Sequence, residues 1–404
     1  MTGVQTCALP IFQSGGHRIL RVLVVGEIAL SLMLLIGAGL LVNSFVHLQN
    51  VKPGFDIDRL MTCHVFLPES KYKEPEKKRV FYRDVVQRVV NIPGHKGLAV
   101  TSVLPMTWGE GTFYEIEGKP GGSNDEKKFV QTRGVNPGYF QVMDIPLLKG
   151  RVFNEQDENE SSFKIVINEY LARELDGDPI GQWIRLPEWE GKSYEVIGVV
   201  GNMKQFGLKS EYSQEIYTTY LHRPARHICF AMRTPGDPHR FASLIRQEIR
   251  ALDSDMPVNR MKTMDELIAD SMVMDRFGVI LMSLFSIVAL ILSSLGIYGI
   301  MSYSTAQRTH EIGVRIAIGA QVGDVVKLVV GQGLWLTLIG IGLGLTGSFL
   351  MTRFLSSSLY GISATDPLTY INVSLFLLVV SLLACYLPAR RAAKVDPLIA
   401  LRGE

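Results

Sequence analysis

The chain has 404 residues, 47% of them hydrophobic and 20% charged, with a formal net charge of +2. Mean hydropathy is above zero, yet the middle of the chain is too charged for a pure membrane bundle. Lys and Arg are scattered rather than gathered on one stripe, which excludes an electrostatic footprint for nucleic acid.

Residues 1–12 (MTGVQTCALPIF) have neither the basic start nor the continuous apolar core of a signal peptide. We expect 1–16 to be non-native, a sequencing scar on a truncated reading frame that begins upstream. Residues 17–47 hold a first transmembrane helix, because 22–45 carries a single charge and exceeds the ~20 apolar residues a bilayer requires. That charge is Glu27. Acids inside a span are functional candidates by default. Because Arg21 lies close by, an acid that snorkels to the interface or pairs locally is the alternative to a transport role. Gly37 and Gly39, with Gly340, Gly342, Gly344 and Gly347 further on, are small residues that allow helices to approach closely.

Residues 48–272 are polar and read as a large α+β extracytoplasmic domain. Pro53-Gly54 marks a turn, 60–67 a strand and 74–90 an amphipathic helix presenting Phe81, Val85 and Val89 on one face. A strand at 97–103 completes a strand–helix–strand unit. Further strands are expected at 113–117 and 129–133, and a short helix at 137–143. Residues 151–222 read as an inserted, mostly-β module with strands at 165–167, 181–186, 194–200 and 216–220. A strand at 227–232 returns to the first fold. Asp237-Pro238 then opens a second amphipathic helix as cap and first position, and a last strand falls at 258–261. The α+β part is thus 60–150 with 223–270.

Three more apolar stretches follow, giving transmembrane helices at 273–304, 328–353 and 367–389. The loop at 305–327 carries Arg308, Arg315 and Lys327, and the tail at 390–404 carries Arg390, Arg391, Lys394 and Arg402, whereas the 354–366 loop has no Lys or Arg. Together with Arg18 and Arg21 ahead of the first span, this bias places both termini and the 305–327 loop in the cytoplasm. The fold class is therefore a membrane protein: four transmembrane helices plus a large α+β extracytoplasmic domain with an inserted mostly-β module.

Catalytic signatures are missing from these 404 residues. There is no G-x-x-x-x-G-K-S/T loop, no H-E-x-x-H and no G-x-S-x-G. The histidines are dispersed, so we expect no metal site, no cofactor and no enzyme. Of the four cysteines, Cys7, Cys63, Cys229 and Cys385, none forms a C-x-x-C pair. Cys63 and Cys229 both fall in the extracytoplasmic domain, where they read as either a disulfide or two buried thiols.

The most informative segment is 311–320 (EIGVRIAIGA), a charged helix-former between two uncharged spans. Glu311 and Arg315 stand at i, i+4 in the favourable order for a surface pair, and Gly313, Gly319 and Ala320 permit close docking. This segment resembles the FtsX-like permease domain of ABC transporter permeases of the MacB type. The likeness extends to Val25-Gly-Glu-Ile-Ala-Leu-Ser31, Asn50-Val-Lys-Pro-Gly-Phe-Asp56, Arg133-Gly-Val-Asn-Pro-Gly-Tyr-Phe140, Gly150-Arg-Val-Phe153 and Tyr386-Leu-Pro-Ala-Arg-Arg-Ala-Ala393. Ile316 departs from the basic or Met residue usual after the arginine.

The resemblance implies a permease of the bacterial inner membrane without ATPase activity of its own, paired with a separate ABC ATPase subunit. Glu311, Gly313, Arg315, Ala317, Gly319 and Ala320 would form the ATPase-coupling helix. It further implies a homo- or heterodimer of permeases in contact with membrane lipid, a possible periplasmic adaptor, and an origin as one half of a tandem-duplicated permease. ATP-driven movement of the periplasmic domain would export or extract a substrate. Lipoprotein release, regulation of a cell-wall hydrolase and a membrane receptor are the alternatives.

Overall fold

The computed structural model describes residues 13–117, 128–158, 162–318, 321–356 and 359–393. The expectation about residues 1–12 lies outside them. The chain divides into two compact units, one formed by 1–50 with 274–404 and the other by 51–273.

The first helix, α1 (Gln13–Gln49), leads into the 51–273 unit. There the order is β1 (Leu60–Phe66), α2 (Pro75–Val90), β2 (Gly97–Thr101), β3 (Glu110–Ile116), β4 (Lys128–Val135), α3 (Tyr139–Val142), β5 (Leu147–Gly150), β6 (Lys164–Asn168) and α4 (Glu169–Ala172). It continues through β7 (Trp183–Leu186), β8 (Lys192–Val200), β9 (Glu215–Thr219), β10 (His227–Arg233), α5 (His239–Leu252), β11 (Val258–Thr263) and α6 (Met264–Ser271).

Strands β11, β1, β10 and β2 form an antiparallel sheet. Side chains alternate across a strand, so Met61, Cys63 and Val65 of β1 enter one core with Phe81 and Val85 of α2 and Ile245 and Ile249 of α5. Leu60 and Cys229 enter the opposite core with Tyr139 and Phe140 of α3. Cys63 pairs with Phe230 in the ladder and Cys229 with His64. The two cysteines therefore point to opposite faces of the sheet, and both are free, buried thiols. Burial lifts the Cys63 thiol far above its ordinary range. The second amphipathic helix begins one residue later than expected, at His239, so Pro238 rather than Asp237 is its N-cap; Asp237 Oδ1 accepts from the His239 N–H at 3.0 Å just ahead of the helix.

The remaining strands close on themselves. The order β4–β3–β7–β8–β6–β9 returns to β4 through a parallel pairing that runs from Gln131↔Glu215 to Val135↔Thr219. The result is a six-stranded barrel filled by Tyr114, Val130, Ile165, Ile184, Val196 and Ile216. It joins the antiparallel sheet through one ladder pair, Thr101↔Val135. The β module is therefore larger than the expected 151–222 insertion, because it recruits β3 and β4 from before residue 151. One strand, β5, has no counterpart among the expected elements. All four of its residues are exposed, so it lacks apolar alternation. Gly150 ends β5 at φ +69°, where a Cβ would stand 2.3 Å from the Ile197 carbonyl oxygen.

Charge is buried where barrel and sheet meet. The Arg133 guanidinium donates to the Val103 carbonyl oxygen and to Gln205 Oε1, and the Tyr217 hydroxyl donates to Glu215 Oε2. Burial raises the Glu215 carboxyl above its ordinary range, against the pull of Arg133.

The other unit is helical. It contains α1, α7 (Val273–Gln307), α8 (Thr309–Ala317), α9 (Val322–Leu355) and α10 (Pro367–Ala392). Apart from α8, each is long and apolar enough to span a bilayer. Glycines of α9 set its approach to α1. A Cβ on Gly340 would lie 2.6 Å from Ile28 Cγ2, and one on Gly344 would lie 2.9 Å from Leu32 Cβ. Gly347 meets Met33 and Gly39 meets Thr369 and Val373 of α10, whereas Gly342 faces open space. Helix α7 is stitched to α1 by hydroxyls: Ser31 Oγ donates to the Ala289 carbonyl and Ser286 Oγ to the Leu34 carbonyl, both at 2.8 Å.

Candidate coupling site

Helix α8 is nine residues long, too short to be stable alone. Acidic Glu311 in its first turn and basic Arg315 in its last complement the helix dipole. The Ile318 N–H closes the C-terminal end on the Val314 carbonyl at 3.0 Å. Packing does the rest. Ile312 is buried, and with Ile316 it sits against Val325 and Val326 of α9 and Ala392 and Ala393 at the end of α10. The spans thus hold one face of α8 in place.

The opposite face is open. Arg315 Nη2 lies 2.7 Å from Glu311 Oε1, and both side chains are about half exposed. Ile318 is 82% exposed. Residues 311, 315 and 318 follow helical spacing, so a charged pair and an apolar side chain share one stripe. Sequence reasoning missed Ile318. Its exposure depends on what α9 and α10 leave uncovered. Gly313 is buried. Its missing side chain serves packing within the unit rather than an open docking face. Ala317 is the last residue of α8, while Gly319 and Ala320 lie outside the described residues. Helix α9 starts at Val322, ahead of the expected 328, because Gln321 and Asp324 form a capping box.

Beside α8, helices α1, α7 and α9 enclose a cavity of about 940 Å³ whose lining includes Arg21, Glu27, Arg308, Lys327 and Trp335. The Glu27 carboxylate rests over Gly296 of α7, where a Cβ would stand 2.4 Å from Oε2. Among the described residues no ion pair joins Glu27 to Arg21. The acid faces the cavity instead of being paired locally. Among the described residues there is also no group of three or more His, Cys, Asp or Glu able to hold a metal ion.

Two family models match the chain. Residues 22–247 match the family model of the MacB-like periplasmic core domain, and residues 283–397 match the FtsX-like permease C-terminal model. A probable syringafactin export ATP-binding/permease protein of Pseudomonas syringae is 28% identical over 67% of this chain and 42% of its own length. A macrolide export ATP-binding/permease protein MacB of Agrobacterium fabrum is 29% identical over 66% of this chain and 42% of its own length. The chain thus spans less than half the length of these relatives. The crystal structure of the periplasmic region of MacB from Actinobacillus actinomycetemcomitans aligns with 53% of this chain and 92% of its own, at TM-score 0.37 and 14% identity. With one family model covering more than half of its residues and a second covering the last three membrane helices, the chain belongs to the MacB-like, FtsX-like family of ABC transporter permeases.

Proposed function

We propose that this permease converts ATP hydrolysis by an ATPase, which these 404 residues do not encode, into movement of its extracytoplasmic domain, exporting or extracting a substrate. The observation that carries the proposal is the split character of α8. One face is fixed to α9 and α10, while the other offers Glu311, Arg315 and Ile318 to a partner. A push on the open face would pass into two spans at once. The basic residues around α8 favour a cytoplasmic position, which is where an ATPase works. The relatives are by name ATP-binding/permease proteins for export, which supports the reading. A second permease copy is proposed to cover α7, the least buried of the four spans.

Pull-down of the ATPase from a membrane extract tests this reading. Single reversals Glu311→Arg and Arg315→Glu are expected to reduce its recovery by roughly tenfold, the effect of losing one buried polar contact of about 1.4 kcal/mol. The double swap keeps the internal ion pair but should not restore binding. Full recovery with all three variants overturns the assignment.

A further inference from the structure

The cavity beside α8 is the largest of those described and plays no part in the coupling reading above. Its lining is sorted along its length. Arg21 begins the apolar run of α1, Arg308 follows the end of α7, and Lys327 lies near the start of α9, so all three cations stand at the basic end of the helical unit. Further in, apolar Leu295, Leu336 and Trp335 form the walls, interrupted by Glu27 and Gln332. Leu295 precedes Arg308 by 13 residues, or ~20 Å of helix, and Trp335 follows Lys327 by eight, or ~12 Å, at 1.5 Å per residue. Among the described residues no carboxylate pairs with Arg21, Arg308 or Lys327. Glu27 is the one acid in the lining, which leaves the cavity with two positive charges in excess.

We propose that this groove binds an anionic phospholipid, with its phosphate held by Arg21, Arg308 and Lys327 and an acyl chain laid along Leu295, Leu336 and Trp335. The shape argues for a lipid over a soluble anion. A free phosphate would use the mouth and leave the apolar interior wet, which is unfavourable in proportion to its area. A lipid fills both parts, and basic pockets at the headgroup level between membrane helices suit its charge. Position adds a consequence. Arg308 is also the N-cap residue of α8, so a bound headgroup would steady the joint between α7 and the proposed coupling helix. The inference rests on the membrane helices and not on the ATPase reading.

Native mass spectrometry of the full chain, purified in detergent and offered phosphatidylglycerol or phosphatidylcholine, tests it. The wild type should retain phosphatidylglycerol in preference. Arg308→Gln and Lys327→Gln should each weaken that retention about fivefold, the effect of one basic residue at a lipid surface. Gly299→Phe provides an independent arm. Gly299 lines the cavity, and a Cβ built on it meets nothing within 4 Å, so a side chain there starts into open space. It should abolish phosphatidylglycerol retention while leaving the purified chain monodisperse. Equal retention of the two lipids, or retention unchanged in the Gln and Phe variants, overturns the proposal. So does complete displacement of phosphatidylglycerol by inorganic phosphate, which would assign the site to a soluble anion.

Discussion

Arg133 and Glu215 show how much a single buried side chain commits its neighbours. Both are buried at the junction of barrel and sheet, where each lies within the field of the other without an ion-pair contact among the described residues. Removing one of two buried opposite charges leaves the other uncompensated, at a cost of up to about 3–5 kcal/mol, whereas replacing both by apolar groups of similar volume is close to neutral. Arg133→Met should therefore lower the denaturation midpoint of the full chain sharply, and Arg133→Met/Glu215→Leu should recover most of the loss. A double variant no more stable than the single would show that the charges act separately. Asp157 offers a pH test. Burial disfavours its ionised form, but Arg151, Lys164 and the Asn154 N–H donate to the carboxylate and hold it well below its ordinary range. The folded chain then refuses a proton that the unfolded chain accepts. The stability from this group is present above about pH 4 and is lost as pH falls through the folded value. Asp157→Asn should flatten the acid side of a plot of Tm against pH. The sequence named Glu27, Glu311 and Arg315 because charge amid apolar residues is conspicuous. It could not show that Arg133 is buried or Ile318 exposed, since both arise only when distant elements pack.

At the scale of elements, the four spans were legible because an apolar run long enough to cross a bilayer is a local property. They also extend beyond their apolar cores: α7 has 35 residues, about 52 Å of helix, against a hydrocarbon thickness of about 30 Å. The barrel was not legible as a closed ring. Its closing pairing joins 131–135 to 215–219, and parallel pairing between such distant strands leaves no mark on either segment. Two changes separate what α8 does from how it is held. Ile312→Asp places a charge in the contact with α9 and α10 and should uncouple the helix while leaving Glu311 and Arg315 free to meet the ATPase. The expected outcome is retained ATPase recovery with loss of export, and loss of both would place Ile312 in the docking face itself. Gly344→Leu instead crowds Leu32 and the Ala29 carbonyl of α1. Overpacking of this kind costs about 1–3 kcal/mol, which a reduced melting temperature in detergent would register.

For the whole molecule, topology is the property to establish. With Cys7 replaced by Ser, the cysteines left are buried, so introduced thiols can be read against a low background. Thr365→Cys, between α9 and α10, should react with a membrane-impermeant maleimide on intact cells. Gln307→Cys, at the end of α7, should react only after permeabilisation. The opposite pattern would reverse the proposed orientation and move α8 away from any cytoplasmic ATPase.

The sheet that carries α2 and α5 has one open margin. The six ring strands have partners on both sides and β2 is occupied by β4, whereas β5 pairs only with β8 and β11 only with β1 among the described residues. A bare strand edge is a template on which another copy could build. On β11, Lys262 is paired with Asp270. A lysine on an open edge is one of the means by which a sheet discourages a further strand from adding to it.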